Sequence, residues 1–464
     1  MARTSLAEAS RATGGEITAG EGGTIFDRYA IDSRAVAGGE LFFALKGPRH
    51  DAHDFLAEVF ARGAAGVVVS RTVAAPAGVA VLRVADTTEA LQQLAAFVRR
   101  RDPLHVAGIT GSGGKTTTKE MTAAALATAW PTHRSSGNLN NTIGLPLSLL
   151  ATPEGSRAAV LEMGMSTPGE MTRLAEIADP DVGVILNVSE AHRANFSSVR
   201  EIARAKGELF RRLRSDATAV FNAADPLVRA LGEAFAGPRL SFAVDGPADV
   251  TVDRITDDMV DGLTFMVRVR GYDPRPVRLA FYGRHNAANA AAALAVALAF
   301  EVNIPGAIRG IEALRAVVGR GVVERLGSGV VLVDETYNSN PAALASVLDS
   351  LAATAWPRMP SGDGRRVLVC GDMLELGDAA ELRHREAGAL AARRGVALLV
   401  AVGPLAGETA SGAAAAGLTD IVVVADAEAA AKSVDRLRAG DLVVVKGSRG
   451  MAMERFAAAV RGAF

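Results

Sequence analysis

One cysteine in 464 residues, Cys370, leaves no partner for an intrachain disulfide and excludes a disulfide-stapled secreted scaffold. It lies in the apolar run VLVC (367–370), where a buried, inert thiol is expected rather than a nucleophile. Charge of one sign is also missing. Lys+Arg number 50 against Asp+Glu 51, a formal net charge of -1, so bulk electrostatics offer no reason to expect nucleic acid or an anionic membrane as partner. No apolar run is long enough to span a bilayer. The longest, residues 287–300, is alanine-rich, contains Asn289 and reads as a buried helix. The N-terminus, MARTSLAEASRATGGE, lacks a signal-peptide core, and a cytoplasmic monomer is expected. Solenoid repeats and low-complexity tails are absent too. What is present is a 49% hydrophobic composition, enough for well-packed interiors, in a chain long enough for three domains at about 150 residues each.

The order of strand-like and helical runs predicts an α/β protein of three parts. Residues 1–102 carry short strands at 41–45, 66–69 and 79–84, then a helix from Thr88 to Arg101; its basic end, RRRDP, reads as a linker. Residues 103–318 carry near-continuous apolar strands at 106–110, 158–163, 182–188 and 217–223 separated by helices, the pattern of a parallel sheet covered on both faces. A β-rich insertion at about 248–282 precedes the alanine-rich helix. Residues 319–464 carry strands at 329–335, 365–371, 397–403, 420–425 and 441–447, a doubly wound, Rossmann-like series without the dinucleotide glycine fingerprint.

The densest chemical signal is HVAGITGSGGKTTTKE (105–120). A strand meets a glycine turn and then a helix start, which makes a phosphate cradle of converging backbone N–H groups. Thr110, Gly111, Ser112, Gly113 and Gly114 form the turn. Lys115 adds a point charge, and the Thr116 hydroxyl is placed to touch a magnesium ion. Ile109 replaces the first glycine of the full phosphate-loop pattern, but the core TGSGGKT is intact. A nucleoside triphosphate is the expected ligand.

Other polar residues follow the central strands, at the edge where open α/β sheets bind ligands. Glu162 ends one strand and His192 follows another; with Thr116 they form a candidate divalent-cation site, although magnesium prefers oxygen donors. Lys206 lies on a helix, where a lysine is ordinarily solvated. Asn138, Asn140 and Asn141 precede the apolar segment TIGLPLSLL, positioned either to cap a helix or to bond a polar substrate. Asn286 and Asn289 share a helix face. In VDETYNSNP, Asp334, Glu335, Tyr337, Asn338 and Asn340 crowd one strand end, and Pro341 is placed to open the next helix.

Together DSRAVAGGELFFALKG, TGSGGKTTTKE, NLNNTIGLPL, EMGMSTPGE, AKGELF, GRHNAANA, VDETYNSNP, GDMLELG and VKGSRGMAME resemble the Mur ligases, the ATP-dependent amide-forming enzymes of peptidoglycan synthesis, over residues 32–454. NNTIGLPL, EMGMSTPGE, DETYNSNP and GDMLELG are most similar to the branch that adds D-alanyl-D-alanine to UDP-N-acetylmuramoyl tripeptide. The resemblance implies an N-terminal UDP-sugar domain with Ser33, Arg34 and Lys46, a central ATP domain, and a C-terminal domain that closes over both and receives the dipeptide. It implies ATP phosphates on Gly111 to Thr116, magnesium at Thr116, Glu162 and His192, and catalytic roles for Lys115, His192 and Lys206. Lys206 matches a lysine that relatives often carbamoylate into a magnesium ligand. Asn286, Asn289, Arg320 and Asp334 resemble ATP contacts; Asn138, Asn141, Thr142, Tyr337, Asn338 and Asn340 resemble substrate contacts. Two motifs depart from the family: AHRANFSS (191–198) replaces a loop close to AHLE-x-FGS, and HDAHDF (50–55) has Ala52 where glycine is usual.

The reaction this implies is acyl-phosphate formation from a peptide carboxylate and ATP, then attack by an amine, releasing ADP and phosphate. Alternatives are a sister ligase or a folylpolyglutamate-type ligase adding one amino acid, and a nucleotide-driven switch binding a protein. The polar cluster Asp334 to Asn340 suits a small-ligand cleft better than a flat protein surface.

Overall fold

A computed structural model describes residues 3–189, 196–316, 318–356 and 364–464. The chain divides into two compact units, residues 1–189, 199–242 and 292–310 in one, and residues 190–198, 243–291 and 311–464 in the other.

Besides the two-stranded pair Thr4–Ser5 and Ile25–Phe26, the first unit contains two larger sheets. In the smaller, Tyr29–Ala30, Leu41–Phe43, Gly66–Val69 and Ala80–Arg83 run parallel, and Glu16–Ala19 joins Ala80–Arg83 antiparallel. Leu41–Phe43 and Gly66–Val69 are buried along their whole length, as parallel strands covered on both faces must be. The helix Thr87–Arg101 follows, with Asp86 accepting from the amides of Thr88 and Glu89 as its N-cap. Its basic end is not the linker that composition suggests. Arg99 is buried and its guanidinium donates to Ala178 O at 3.0 Å, Asp179 O at 2.8 Å and Asp181 Oδ2 at 2.9 Å. Two carbonyls and a carboxylate there satisfy the buried guanidinium with charge-assisted hydrogen bonds.

The larger sheet of this unit orders its parallel strands Arg239–Val244, Thr218–Asn222, Val182–Ile185, His105–Thr110, Ala158–Glu162 and Thr132–Arg134. Ile109 lies opposite Glu162, and Thr110 opposite Ile185. Three neighbouring strands therefore end level, and the loops that follow them emerge side by side.

In the second unit the β-rich insertion is the antiparallel set Val250–Asp258, Gly262–Val269 and Arg275–Leu279. The last sheet runs Val322–Arg325, Val331–Glu335, Leu442–Lys446, Arg366–Gly371, Leu398–Val402, Ile421–Val424, antiparallel only at the Val322–Arg325 edge. Alternate residues face two separate cores. Val331, Val333 and Leu368 pack with Leu344, Val347 and Ala391 on one side; Leu332, Val367 and Val369 pack with Ala430, Phe456 and Val460 on the other. That is the doubly wound arrangement its sequence predicts. Cys370 is buried, and burial pushes its thiol up to about 12, so it is inert as expected. Among the described residues no helix is long and apolar enough to cross a membrane.

Candidate active site

The phosphate loop follows the central strand His105–Thr110 and leads into the helix Lys115–Leu126. Gly114 sits at the helix N-cap with φ 81, a left-handed conformation that costs glycine little, and among the described residues no side chain caps the first turn. A Cβ on Gly111 would come within 2.9 Å of Leu186 Cβ, so glycine is required there by packing. The exposed helix start and its dipole favour an anion. Lys115 reaches back to Gly111 O at 2.9 Å. Thr110 is buried at the strand end, and its hydroxyl has no hydrogen-bond partner among the described residues.

Asn187, two residues beyond the strand Val182–Ile185, holds this loop. Its Oδ1 accepts from Gly113 N at 2.9 Å, its Nδ2 donates to Gly113 O at 3.1 Å, and its carbonyl accepts from Ser112 N at 3.0 Å. The Ser112 hydroxyl accepts from Ser189 N at 3.0 Å. Reading the sequence did not single out Asn187; its only signal is an amide just past an apolar strand, level with the glycine turn.

Glu162 is 4% exposed at the end of the strand beside the loop. Its Oε2 accepts from the Thr116 hydroxyl at 2.8 Å, and its Oε1 accepts from Asn140 Nδ2 at 2.8 Å. Two hard oxygen donors therefore stand together, one from the helix and one from the strand. Among the described residues no cluster of three or more His, Cys, Asp or Glu gathers. A carboxylate and a hydroxyl beside a phosphate site fit magnesium, which takes one or two protein oxygens and completes its shell with phosphates and water.

Lys206 ends the helix Val199–Lys206 and is 1% exposed, which corrects the solvated position a helical lysine suggests. It makes no hydrogen bond or ion pair with a described residue. Desolvation, and secondarily the positive charge of Lys115, lower its pKa to about 7. The helix is amphipathic, with Ile202, Ala203 and Ala205 buried beside Lys206, and that apolar stripe carries the lysine inward. His192 lies outside the described residues.

The three asparagines ahead of TIGLPLSLL separate by role. Asn140 orients Glu162. Asn141 caps a helix start, accepting from Ile143 N at 3.1 Å and Gly144 N at 2.8 Å. Asn138 is exposed, and the Thr142 carbonyl accepts from Gln92 Nε2 at 2.8 Å. In the smaller sheet, Ser33 and Lys46 follow the ends of the adjacent parallel strands Tyr29–Ala30 and Leu41–Phe43. Ser33 donates to Glu58 at 3.2 Å, Arg34 pairs with Asp32 at 2.7 Å, and Lys46 is exposed.

In the second unit Asn286 and Asn289 are buried and joined, Asn289 Nδ2 donating to Asn286 Oδ1 at 2.9 Å. Asp334 and Glu335 point to opposite faces of their strand. Asp334 accepts from the Thr336 hydroxyl at 2.7 Å and from Arg461 at 2.8 Å. Glu335 accepts from Tyr282 Oη at 2.7 Å and from Lys446 Nζ at 3.2 Å. Asn340 caps the helix Pro341–Ala353, which Pro341 opens as expected. Arg320 stacks on Tyr337, 3.9 Å from its ring centre. Asn338 is exposed.

Three family models match the chain: "Mur ligase family, catalytic domain" over residues 27–99, "Mur ligase middle domain" over 109–297, and "Mur ligase, glutamate ligase domain" over 320–449. The chain belongs to the Mur ligase family. UDP-N-acetylmuramoyl-tripeptide--D-alanyl-D-alanine ligases resemble this Mur ligase over nearly its whole length. That of Bacillus subtilis is 34% identical across 93% of this chain and 92% of its own, and that of Escherichia coli 35% identical across 94% of each. Solved structures agree. MurF from Acinetobacter baumannii matches with TM-score 0.88 at 32% identity over 99% of both chains. MurF from Thermotoga maritima in complex with ADP matches with TM-score 0.82 at 29% identity over 94% of this Mur ligase and 97% of that chain.

Proposed function

We propose that this Mur ligase joins D-alanyl-D-alanine to UDP-N-acetylmuramoyl tripeptide, forming ADP and phosphate. The observation that carries the reading is the glycine loop with Lys115 and the Thr116–Glu162 pair at its mouth, in a chain similar over more than nine-tenths of its length to ligases of that name. Addition of a single amino acid is not favoured, because relatives matched over most of this chain's length carry the dipeptide name.

A carboxylate is a poor acyl donor because hydroxide or oxide is a poor leaving group. ATP removes that obstacle. A carboxylate oxygen of the peptide attacks the γ-phosphorus, the bridging bond to ADP breaks, and an acyl phosphate results. The dipeptide amine then attacks the acyl carbon, the bond to phosphate breaks, and the nitrogen loses a proton. Lys115 and the loop amides offset the repulsion between carboxylate and phosphate and stabilise charge on the transferring group. Thr116 and Glu162 would hold magnesium, with His192 and Lys206 as further ligands; the ion supplies positive charge at the phosphate oxygens. With a pKa of about 7, a good fraction of Lys206 is neutral near neutrality, the form whose nitrogen adds to carbon dioxide with release of a proton. Carbamoylation would make it the acidic ligand that the family pattern implies.

Residues 1–102 serve the UDP-sugar through Ser33, Arg34 and Lys46, residues 103–318 serve ATP, and residues 319–464 serve the dipeptide. Asn286, Asn289, Arg320 and Asp334 belong to the ATP contacts, and Asn138, Asn141, Thr142, Tyr337, Asn338 and Asn340 to the substrates. The reaction belongs to peptidoglycan precursor assembly in the cytoplasm, where ATP is available.

Phosphate release with UDP-muramoyl tripeptide and ATP, with and without D-alanyl-D-alanine, tests the reading. Release must depend on the dipeptide, and Lys115→Ala must abolish it with the melting curve retained. Release stimulated by a single amino acid but not by the dipeptide would replace this reading with a sister activity.

A further inference from the structure

Three loops of the second unit meet at one edge of its parallel sheet. They follow the strands Val331–Glu335, Leu442–Lys446 and Arg366–Gly371, with Leu442–Lys446 between the other two. The carboxyl edge of such a sheet is where ligands bind. The loops are tied together. Lys446 Nζ donates to Asn338 O at 3.0 Å, Ser448 Oγ to Ser339 O at 3.4 Å, and Leu374 N to Ser448 Oγ at 3.0 Å.

Two side chains on this frame stand in solvent. Leu374 leaves 47% of its surface in water, although its neighbour Met373 is buried and its own main chain is anchored. The exposed Arg449 guanidinium makes no hydrogen bond or ion pair with a described residue and lies 5.7 Å from the Tyr337 ring centre. A Cβ added to Gly450 would come within 3.1 Å of Leu374 Cδ1, so the leucine rests on the turn that carries Arg449. Of the other cations at this edge, Lys446 is buried and already paired with Glu335 at 3.2 Å, and Arg320 stacks 3.9 Å from the Tyr337 ring centre and is proposed for ATP. Among the described residues Arg449 is therefore a free donor that no other role in the site claims. Its planar fork, steadied against an aromatic ring, matches a carboxylate bidentately.

An apolar side chain next to an unpaired guanidinium describes the amine substrate. D-Alanyl-D-alanine has one amine that reacts, one carboxylate that must not, two methyl groups, and a reach of about 7 Å when extended. We infer that Arg449 binds the carboxylate of the incoming dipeptide and Leu374 covers its methyl groups, so that these two residues set specificity for the amine substrate. This rests on the ligase reading of the preceding subsection. With the carboxylate held, the amine is left as the free, reactive end of the zwitterion.

The test varies protein and ligand together, with D-alanyl-D-alanine compared against its C-terminal amide, which keeps the amine and both methyls but lacks the carboxylate. Dipeptide-dependent phosphate release by the wild type tests the ligase reading; the acid-to-amide ratio of kcat/KM tests this inference. The wild type should prefer the acid by about tenfold or more. Arg449→Met should raise KM for the acid by a similar factor, leave KM for ATP unchanged, and bring the ratio close to one; Arg449→Lys should retain part of the preference. Leu374→Gln should raise KM for both ligands and keep the ratio. An undiminished acid preference in Arg449→Met, or a defect confined to KM for ATP or for the nucleotide sugar, overturns the inference. Arg449 and Leu374 are both exposed, so melting curves near the wild type are expected for all three variants.

Discussion

The Thr116 hydroxyl donates to Glu162 at 2.8 Å, joining the first turn of the phosphate-loop helix to the end of the neighbouring strand. Asn140 engages the other carboxylate oxygen, so Glu162 is fixed in rotation as well as in position. Such a carboxylate is preorganised to hold a cation against the phosphates. Glu162→Gln keeps the shape but removes the charge. A fall in kcat of roughly 10²–10³-fold is expected, with a higher magnesium concentration needed for half-maximal rate. Magnesium titrations of the variant and the wild type check this; superimposable curves would remove Glu162 from the metal site.

Lys206 gives a pH signature whose sign follows from burial. An unfolded lysine holds its proton to about pH 10.4, whereas in the folded protein Lys206 releases it near 7. Between those values the unfolded state binds the extra proton, so this group makes stability rise with pH. The penalty, on the order of 4–5 kcal/mol from the size of the shift, is fully present below pH 7 and gone above about pH 10. Lys206→Met should melt above the wild type at pH 7, with the gap closing toward pH 10, and should form no amide product. A lower melting temperature at pH 7 would mean that the charge is stabilised by a partner.

Periodicity and glycine placement carried most of the fold, because parallel strands buried on both faces cannot hide their apolar runs; 366–371 and 442–446 lie within one residue of their predicted bounds at each end. The phosphate loop was equally legible, since its glycines serve a local backbone shape. What the chain does not announce is side-chain pairing across strands. Nothing near Asn187 marks it as the partner of a glycine 74 residues away. Nor does composition separate Asn140, which orients Glu162, from Asn141, which caps a helix one residue later. Crowding at Asp334 to Asn340 reads as one cleft, yet strand alternation sends Asp334 and Glu335 to opposite faces, where Arg461 and Lys446 receive them.

Arg99 was misleading in the same way, since three arginines before Asp-Pro look like solvated linker. Asp181 accepts from Arg99 and from Val106 N, and its other oxygen accepts from Arg214 at 2.7 Å. Removing the buried guanidinium strands two carbonyls and weakens the pairing of a carboxylate. Arg99→Met should cost about 3 kcal/mol and lower the melting temperature by several degrees, with KM values at 25 °C unchanged. Calorimetry decides; an unaltered transition would show that the basic end of the helix is dispensable.

Asn187 holds the phosphate loop through both ends of one side-chain amide, and this makes it a positioning residue for ATP. Alanine removes a donor and an acceptor from Gly113 without touching the strand or the glycines, so the loop loses order rather than charge. A rise of about tenfold in KM for ATP, equivalent to roughly 1.4 kcal/mol, is expected for Asn187→Ala, with KM for the dipeptide unmoved. Asn187→Asp keeps the acceptor for Gly113 N–H but loses the donor and sets a negative charge beside the phosphates, so its KM for ATP should rise further still. Initial rates at varied ATP separate the two effects. If alanine leaves KM for ATP where it was and lowers only kcat, the amide acts on the transferring group and not on the shape of the loop.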